Sequence, residues 1–391
     1  MTRWLCALAV VALVWGGAAA YAQATSAEID AKVQQIDSKL NELNQLKTEL
    51  EGIRASLGVK PAPGKKPWTE NIRFTGYSHF RYIWRDNAGS SRSGSEFYWR
   101  RMYINLIGKL NPRTTAVVTW ARIGEGQEFS AETDADWAVA MVDYRISPDL
   151  TFRFGQAPDW FGLETAQSSA DRVALDRAAV LEGGRRRPYG MYFQGPWDRG
   201  AWIYTRPAHG WCPQAIAGIF NGQFRNRDAD NGKVITIDLK WVRPQWQFGA
   251  SWLDGKFVGP SYATGVPVGS AVSTGRRAWL GYARWQPSPA WAVQGEYLKG
   301  QLLGNDIDGW YAQLEQHHTL AGRPGTGFVK FEGYDSGQLP HAGATDDQLN
   351  VLHVGYAYQL DANNELTAQW SDVDWGGDDL DETSVQWQFA F

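Results

Sequence analysis

Six arginines fall where an extended strand would line them up on one face. In "NIRFTGYSHFRYIWR", Arg73, Thr75, Tyr77, His79, Arg81 and Arg85 alternate with Ile72, Phe74, Gly76, Ser78, Phe80, Tyr82 and Trp84, Ile83 being the one exception. Alternate residues of a β-strand point to opposite sides, so the basic set shares one side and the apolar set the other. Arg101 and Lys109 in "RRMYINLIGKL", Arg145 and Arg153 continue the series on the same face. A guanidinium stays charged and presents a planar fork that meets carboxylate or phosphate bidentately. Such a series does electrostatic and hydrogen-bonding chemistry, not covalent chemistry. Each arginine could equally be matched by a carboxylate on its own face.

A second charged group lies in one long polar segment, "PDWFGLETAQSSADRVALDRAAVLEGGRRRPY". It sets Arg172, Arg177, Arg185, Arg186 and Arg187 against Asp159, Glu164, Asp171, Asp176 and Glu182. Mixed charge brought into a narrow section makes a transverse field; the alternative is that these arginines tie the segment to a wall by ion pairs. Residues 68–277 hold 26 basic against 20 acidic residues, whereas residues 278–391 hold 4 against 16. The acidic run "SDVDWGGDDLDE" could meet divalent cations, but a solvated loop fits it better. His317-His318 is too isolated for a metal site. No C-x-x-C-H is present for haem. Ser78 and His79, being adjacent, point oppositely and make no nucleophile–base pair. The chain therefore reads as no enzyme, with no cofactor and no nucleic-acid partner.

The elements that must position these residues are short strands. Aromatics make up 14% of the chain, with 21 Trp, yet the mean hydropathy is −0.41. Both hold together when apolar residues are dispersed in alternation. "RRMYINLIGKL" sets Met102, Ile104, Leu106 and Leu110 against Arg101, Tyr103, Asn105 and Lys109; "NVLHVGYAYQL" and "ELTAQWSDV" alternate more loosely. Segments of about ten residues with dyad alternation suit a transmembrane strand. Tight turns at "LNPR", "ISPDL", "RPQ", "QPSPA" and "LDANN" alternate with eight longer connections: 86–96, 124–135, 158–187, 222–232, 255–275, 302–308, 336–348 and 374–382. Eight long connections on one rim predict about sixteen strands in an all-β, transmembrane antiparallel barrel. The stretch 199–213, "GAWIYTRPAHGWCPQ", reads as an insertion, because an extra strand would break the alternation. The basic face then lines a lumen, and the longest loop is the expected constriction. The chain closes on "SVQWQFAF", placing Val385, Trp387, Phe389 and Phe391 on one apolar face. In a closed sheet the last strand pairs with the first and that face meets lipid.

The N-terminus reads as a targeting segment. Arg3, about a dozen apolar residues and Ala20-Tyr21-Ala22 mark a secretory signal peptide over 1–22. Cys6 leaves with it, so Cys212 is left without an internal disulfide partner. Within 23–58, Ile29, Val33, Ile36, Leu40, Leu43, Leu50 and Leu57 keep a heptad spacing that Lys47 and Arg54 interrupt, predicting a short α-helical coiled coil in the periplasm. "GVKPAPGKKP" predicts a linker over 59–68, followed by the barrel at 69–391.

Three stretches resemble one family. "TFRFGQAPDWFGLE" is similar to the strand-and-loop motif of the phosphate-selective porin O/P family. "FYWRRMYINLIGKL" resembles its early strand with an inward arginine, and "IAGIFNGQFRNRDADNGK" its strand ending in Asn-Gly before an acidic loop. The resemblance implies a trimeric sixteen-stranded outer-membrane barrel, some members of the family carrying an N-terminal periplasmic coiled coil. It also implies an arginine ladder and a lysine-bearing constriction for phosphate; lysines are sparse here and the lysine cluster has no clear counterpart. Trp387, Phe389 and the terminal Phe391 resemble the signal by which the barrel-assembly machinery recognises such chains. The expected function is a water-filled channel for small anionic solutes, with lipid, lipopolysaccharide and sister subunits as partners. Tyr77, Tyr103 and Trp137, read as inward, keep a channel for sugars, other neutral solutes or no particular solute as the alternative.

Overall fold

A computed structural model of the chain describes residues 71–86, 94–123, 135–184, 187–192, 197–206, 212–223, 231–260, 271–337, 348–375 and 378–391, with scattered positions between Gln34 and Glu49. Those scattered positions are helical and exposed. The heptad seam, the signal peptide and the linker lie outside the described residues. Residues 1–67 and 68–391 form two separate units.

Strand formation in the second unit follows the alternation. The first five strands are β1 (Ile72–Asp86), β2 (Gly94–Asn111), β3 (Thr114–Ile123), β4 (Ala135–Ser147) and β5 (Leu150–Pro158). The long loop after β5 contains a small hairpin of β6 (Gly183–Gly184) and β7 (Arg187–Tyr189). The wall resumes with β8 (Trp197–Thr205), β9 (Gln214–Phe220), β10 (Val234–Val242) and β11 (Trp246–Pro260). It continues through β12 (Ala271–Ser288), β13 (Trp291–Leu302), β14 (Asn305–Leu320) and β15 (Arg323–Asp335). The last strands are β16 (Gln348–Gln359), β17 (Asn364–Trp375) and β18 (Asp378–Ala390). Apart from the hairpin, all sixteen pair antiparallel in one closed barrel.

Closure uses the chain end. β18 pairs with β1, with Phe80 opposite Trp387 and Ser78 opposite Phe389. Gly76 and Phe391 exchange both main-chain hydrogen bonds, at 2.9 and 3.0 Å. A Cβ at Gly76 would collide with the Phe391 ring and the Tyr103 carbonyl, so glycine makes room for the last residue. Trp387, Phe389 and Phe391 are exposed on the outer face, as are Phe74, Phe80, Phe97, Phe154, Trp252 and Trp279. Sixteen strands bearing such a face leave no edge unpaired and an apolar exterior, which is what hydrocarbon demands.

Three expectations about the connections are corrected. The acidic run at 374–382 is not a long solvated loop: β17 reaches Trp375 and β18 begins at Asp378, with Asp374 opposite Asp379 and Asp372 opposite Asp381. Residues 199–205 are not part of an insertion: they belong to β8, which pairs with β5 and β9. With Tyr204 and Trp202 inward and Ile203 outward, this strand is needed for the parity of the wall. The connection at 302–308 is not a long loop either. β13 and β14 are joined by Leu303-Gly304 alone, both at positive φ (54° and 87°), a tight turn whose twist matches the strands.

Candidate functional site: a loop clamped across the lumen

The lumen is crossed by the loop that follows β5, and its opening motif shows how. Phe161 is fully buried in an inner apolar cluster. Gly162 has φ +81°, and a Cβ there would strike Glu296 Oε2 and Leu280. That close approach lets Glu296, from β13, accept hydrogen bonds from the Leu163 N–H at 2.9 Å and the Glu164 N–H at 2.6 Å. Ser251 Oγ of β11 accepts from the Gly162 N–H at 2.9 Å. Glu164 then meets Lys330 Nζ of β15 at 2.8 Å, both side chains wholly buried. Lys330 also touches Glu332 Oε1 at 3.1 Å, and Glu332 Oε2 accepts from the loop Ala179 N–H at 2.8 Å. Gln369 of β17 accepts from the Leu175 N–H at 3.0 Å. This far wall therefore grips the loop through its main chain.

Apolar packing reinforces the grip. Loop residues Ala178, Val180, Leu181 and Met191 share one buried cluster with inward Leu280, Leu298, Leu302, Ile307, Leu349 and Val351. Each fully buried aliphatic side chain stabilises the arrangement by roughly 1.5–3 kcal/mol. An inner wall would otherwise be wet and polar here.

The near wall uses side chains instead. Arg81 Nη1 of β1 pairs with loop Asp176 at 2.7 Å, and its Nη2 donates to the Leu175 carbonyl at 3.2 Å. Arg101 Nη2 of β2 pairs with Glu182 at 2.8 Å, while Nη1 contacts Ser169 Oγ. Arg177, within the loop, binds the other Glu182 oxygen at 3.0 Å. These guanidiniums hold both loop carboxyls well below the usual carboxylate range, overriding the burial that pushes the other way. Arg100 was not foreseen as inward. A bulge opposite His79-Phe80 makes Arg100 the extra residue between Trp99 and Arg101 and turns it inward beside Arg101, 3.2 Å from Asp176. Deeper in the loop, burial pushes Asp159 up to about 6, though Tyr192 OH donates to it at 2.7 Å and Thr236 Oγ1 at 3.2 Å.

The remaining expected residues divide. Arg153 lies inward, bidentate on Asp143 at 2.7 and 2.9 Å, under the Trp160 ring at 4.7 Å. Arg85 pairs with Glu382 at 2.9 Å. Arg73, Lys109 and Arg145 keep the inward parity but sit exposed near the short-turn rim, away from the loop. Arg185 and Arg186 lie outside the described residues; Arg187 begins β7, and its side chain is not described. Trp137 is corrected: a bulge at Ala138 pairs it with Trp120 and turns it outward, 55% exposed. Tyr77 and Tyr103 do stack inside, 4.9 Å apart.

A closed sixteen-stranded antiparallel barrel with a long loop folded into its lumen defines the porin class of outer-membrane channels. Within that class, residues 79–238 match the family model of the phosphate-selective porins O and P, the family whose motifs the strand-and-loop sequence resembles. In fold the chain is similar to the anion-selective porin from Comamonas acidovorans, at 14% identity and a TM-score of 0.56 over 82% of this chain and 99% of that one. It is also similar to a loop-deletion mutant of the outer membrane protein OmpT of Vibrio cholerae, at 10% identity and 0.55 over 82% and 99%. A third is the outer membrane channel DcaP of Acinetobacter baumannii, at 8% identity and 0.53 over 82% and 97%. At these identities the likeness is one of fold. No curated protein matches the chain in sequence.

Proposed function

We propose that the lumen passes small anions, phosphate-like or carboxylate, by passive diffusion through the outer membrane. One observation carries this reading: where loop meets near wall, the described residues set five guanidiniums, Arg81, Arg100, Arg101, Arg172 and Arg177, against the carboxylates Asp176, Glu182 and Glu164, the last already paired with Lys330. A low-dielectric constriction with surplus fixed cations raises the local anion concentration and repels cations. Arg85 and Arg153 carry the basic line above and below. Zero-current potentials across planar bilayers in a KCl gradient test it: the expected sign is that of chloride crossing faster, and a potassium-dominated sign rejects it.

The Tyr77–Tyr103 stack, with Trp197 at 6.1 Å from Tyr103, favours a second reading in which neutral solutes slide over aromatic faces. A blockade of ion current by sugars, absent in Tyr77→Ala, would support it. The rest of the scheme is part of the proposal. Residues 1–22 act as the export signal, 23–58 as a periplasmic coiled coil and 59–68 as a linker to the barrel. Three copies assemble among lipid and lipopolysaccharide, a state in keeping with the trimer form of OmpT, which shares the fold at a TM-score of 0.52. The aromatic chain end is read by the assembly machinery.

A further inference from the structure

The far wall holds Leu175 of the loop through a chain of contacts that ends on an imidazole. His353 of β16 stands opposite Lys330 of β15 and Ser371 of β17. It is only 2% exposed, and Glu332, Ser371 and Gln369 around it are buried as well. Its Nε2 lies 3.1 Å from Glu332 Oε1; its Nδ1 lies 2.7 Å from Ser371 Oγ and 3.1 Å from Gln369 Nε2. Gln369 in turn donates to Ser371 Oγ at 3.1 Å and accepts the Leu175 N–H on Oε1 at 3.0 Å.

These contacts fit one protonation state. A carboxylate oxygen only accepts, so Nε2 carries the hydrogen. An amide nitrogen only donates, and Leu175 fixes which way Gln369 points, so Nδ1 must be bare. The imidazole that the loop tether requires is therefore the neutral one. A proton on Nδ1 would point at the Gln369 N–H. Ser371 Oγ can take the new hydrogen, but the amide must turn or withdraw. Turned, it sets its own N–H groups against the Leu175 N–H. Withdrawn, it leaves that donor buried without an acceptor, which is costly. Either way the tether breaks.

Charge admits the proton that the hydrogen bonds refuse. On β15, Lys330 divides itself between Glu332 at 3.1 Å and Glu164 of the loop at 2.8 Å, against the Tyr311 ring of β14. Further along the loop, Glu164 also attracts Arg172 and Arg177, while Asp176 is held by Arg81 and Arg100. β17 meets the imidazole with the neutral Ser371 and Gln369. Glu332 is the carboxylate in contact with His353, and it has only a shared cation, so an imidazolium would find a counter-charge in place. An imidazole is also the side chain suited to changing charge around neutrality.

We propose that His353 is a proton-sensitive latch on the lumenal loop: neutral, it holds Gln369 on Leu175; protonated, it frees the loop at that point, and the passage widens in acid. The latch rests on the channel reading for its effect on conduction, and is independent of which ion the channel prefers.

The test uses the full chain, in detergent and in planar bilayers. Hydrogen exchange by mass spectrometry, corrected for the intrinsic effect of pH on exchange, follows the peptide containing Leu175 from about pH 8 to about pH 5. Its protection should fall by about tenfold across that range, the worth of one hydrogen bond, while the barrel strands keep theirs. Single-channel conductance should rise over the same range. His353→Gln keeps a donor for Glu332 but does not titrate, and should abolish both steps. Gln369→Leu, which lacks the tether, should show the acid values already at neutral pH. Asp159→Asn should leave both steps in place, since that carboxyl is held by Tyr192 and Thr236 at the start of the loop. The proposal is overturned if a conducting wild type lacks either step, or if the steps survive in His353→Gln or Gln369→Leu. Should His353→Gln fail to fold, Gln369→Leu carries the test. An exchange step in a chain that conducts no ions at any pH rejects the channel reading and upholds the latch.

Discussion

The two walls that hold the lumenal loop do so by different chemistry. The far wall, β11 to β17, offers carboxylate, hydroxyl and amide oxygens to the main-chain N–H groups of Gly162, Leu163, Glu164, Leu175 and Ala179. The near wall, β1 and β2, offers guanidiniums to the side-chain carboxylates Asp176 and Glu182. Main-chain contacts fix where the backbone runs, whatever side chains it carries. Side-chain pairs leave charge at the surface of the passage. The far wall thus fixes where the loop runs; under the proposed reading the near wall gives the passage its sign.

The largest expected effect comes from breaking the far grip. Lys330→Met leaves Glu164 and Glu332 buried without their cation, which costs about 3–5 kcal/mol. The thermal midpoint of the folded barrel should fall, read by heat-modifiable gel mobility, and single-channel conductance should rise as the loop loosens. Unchanged conductance would show that apolar packing alone holds the loop.

Next comes Asp159. Burial raises its folded value from 3.8 to about 6, so between those values the folded state binds the extra proton. Stability should therefore fall as pH rises through this window, by up to about 3 kcal/mol. Asp159→Asn should flatten that part of the pH profile. Asp176 and Glu182 have the opposite sign: their folded values are lowered, so their contribution is present above the unfolded range and fades in stronger acid.

Gly162→Ala is expected to cost about 1–3 kcal/mol, combining a positive φ with a collision on Glu296. Its conductance should move in the same direction as that of Lys330→Met. The smallest effect on stability belongs to the near wall. Arg101→Ala leaves Glu182 still paired with Arg177, so the cost should stay at about 1–2 kcal/mol, from the lost contacts to Glu182 and Ser169, while the ion preference shifts.

These contrasts also mark what was legible in the sequence. Strand alternation in β1 and β2 is clean because one face meets lipid and the other charged groups. It loosens in "NVLHVGYAYQL" because Val351, like Leu349 just before the stretch, faces inward onto the loop cluster, so this end of β16 carries apolar residues on both faces. The strand number follows from counting the long connections, even though 199–205 reads as an insertion and two of those connections, 302–308 and 374–382, leave only two residues between strands. Arg81, Arg101 and Arg153 were placed inward by parity alone. Arg100 and Trp137 were not, because a bulge shifts parity by one residue and leaves no local sequence signature. The far-wall carboxylates Glu296 and Glu332 escaped notice because an isolated acid on an inward face looks like any other lumenal charge. The Gly-Leu-Glu turn was visible as a motif; its reason, the approach of Glu296 to a glycine, needed the fold.

The most direct test of the account is the zero-current potential of the Arg81→Ala, Arg101→Ala double variant beside wild type in a KCl gradient. The prediction is an anion-preferring wild type and a variant displaced toward cations at similar conductance. An identical potential in both would contradict the claim that the near-wall arginines set the sign of the passage.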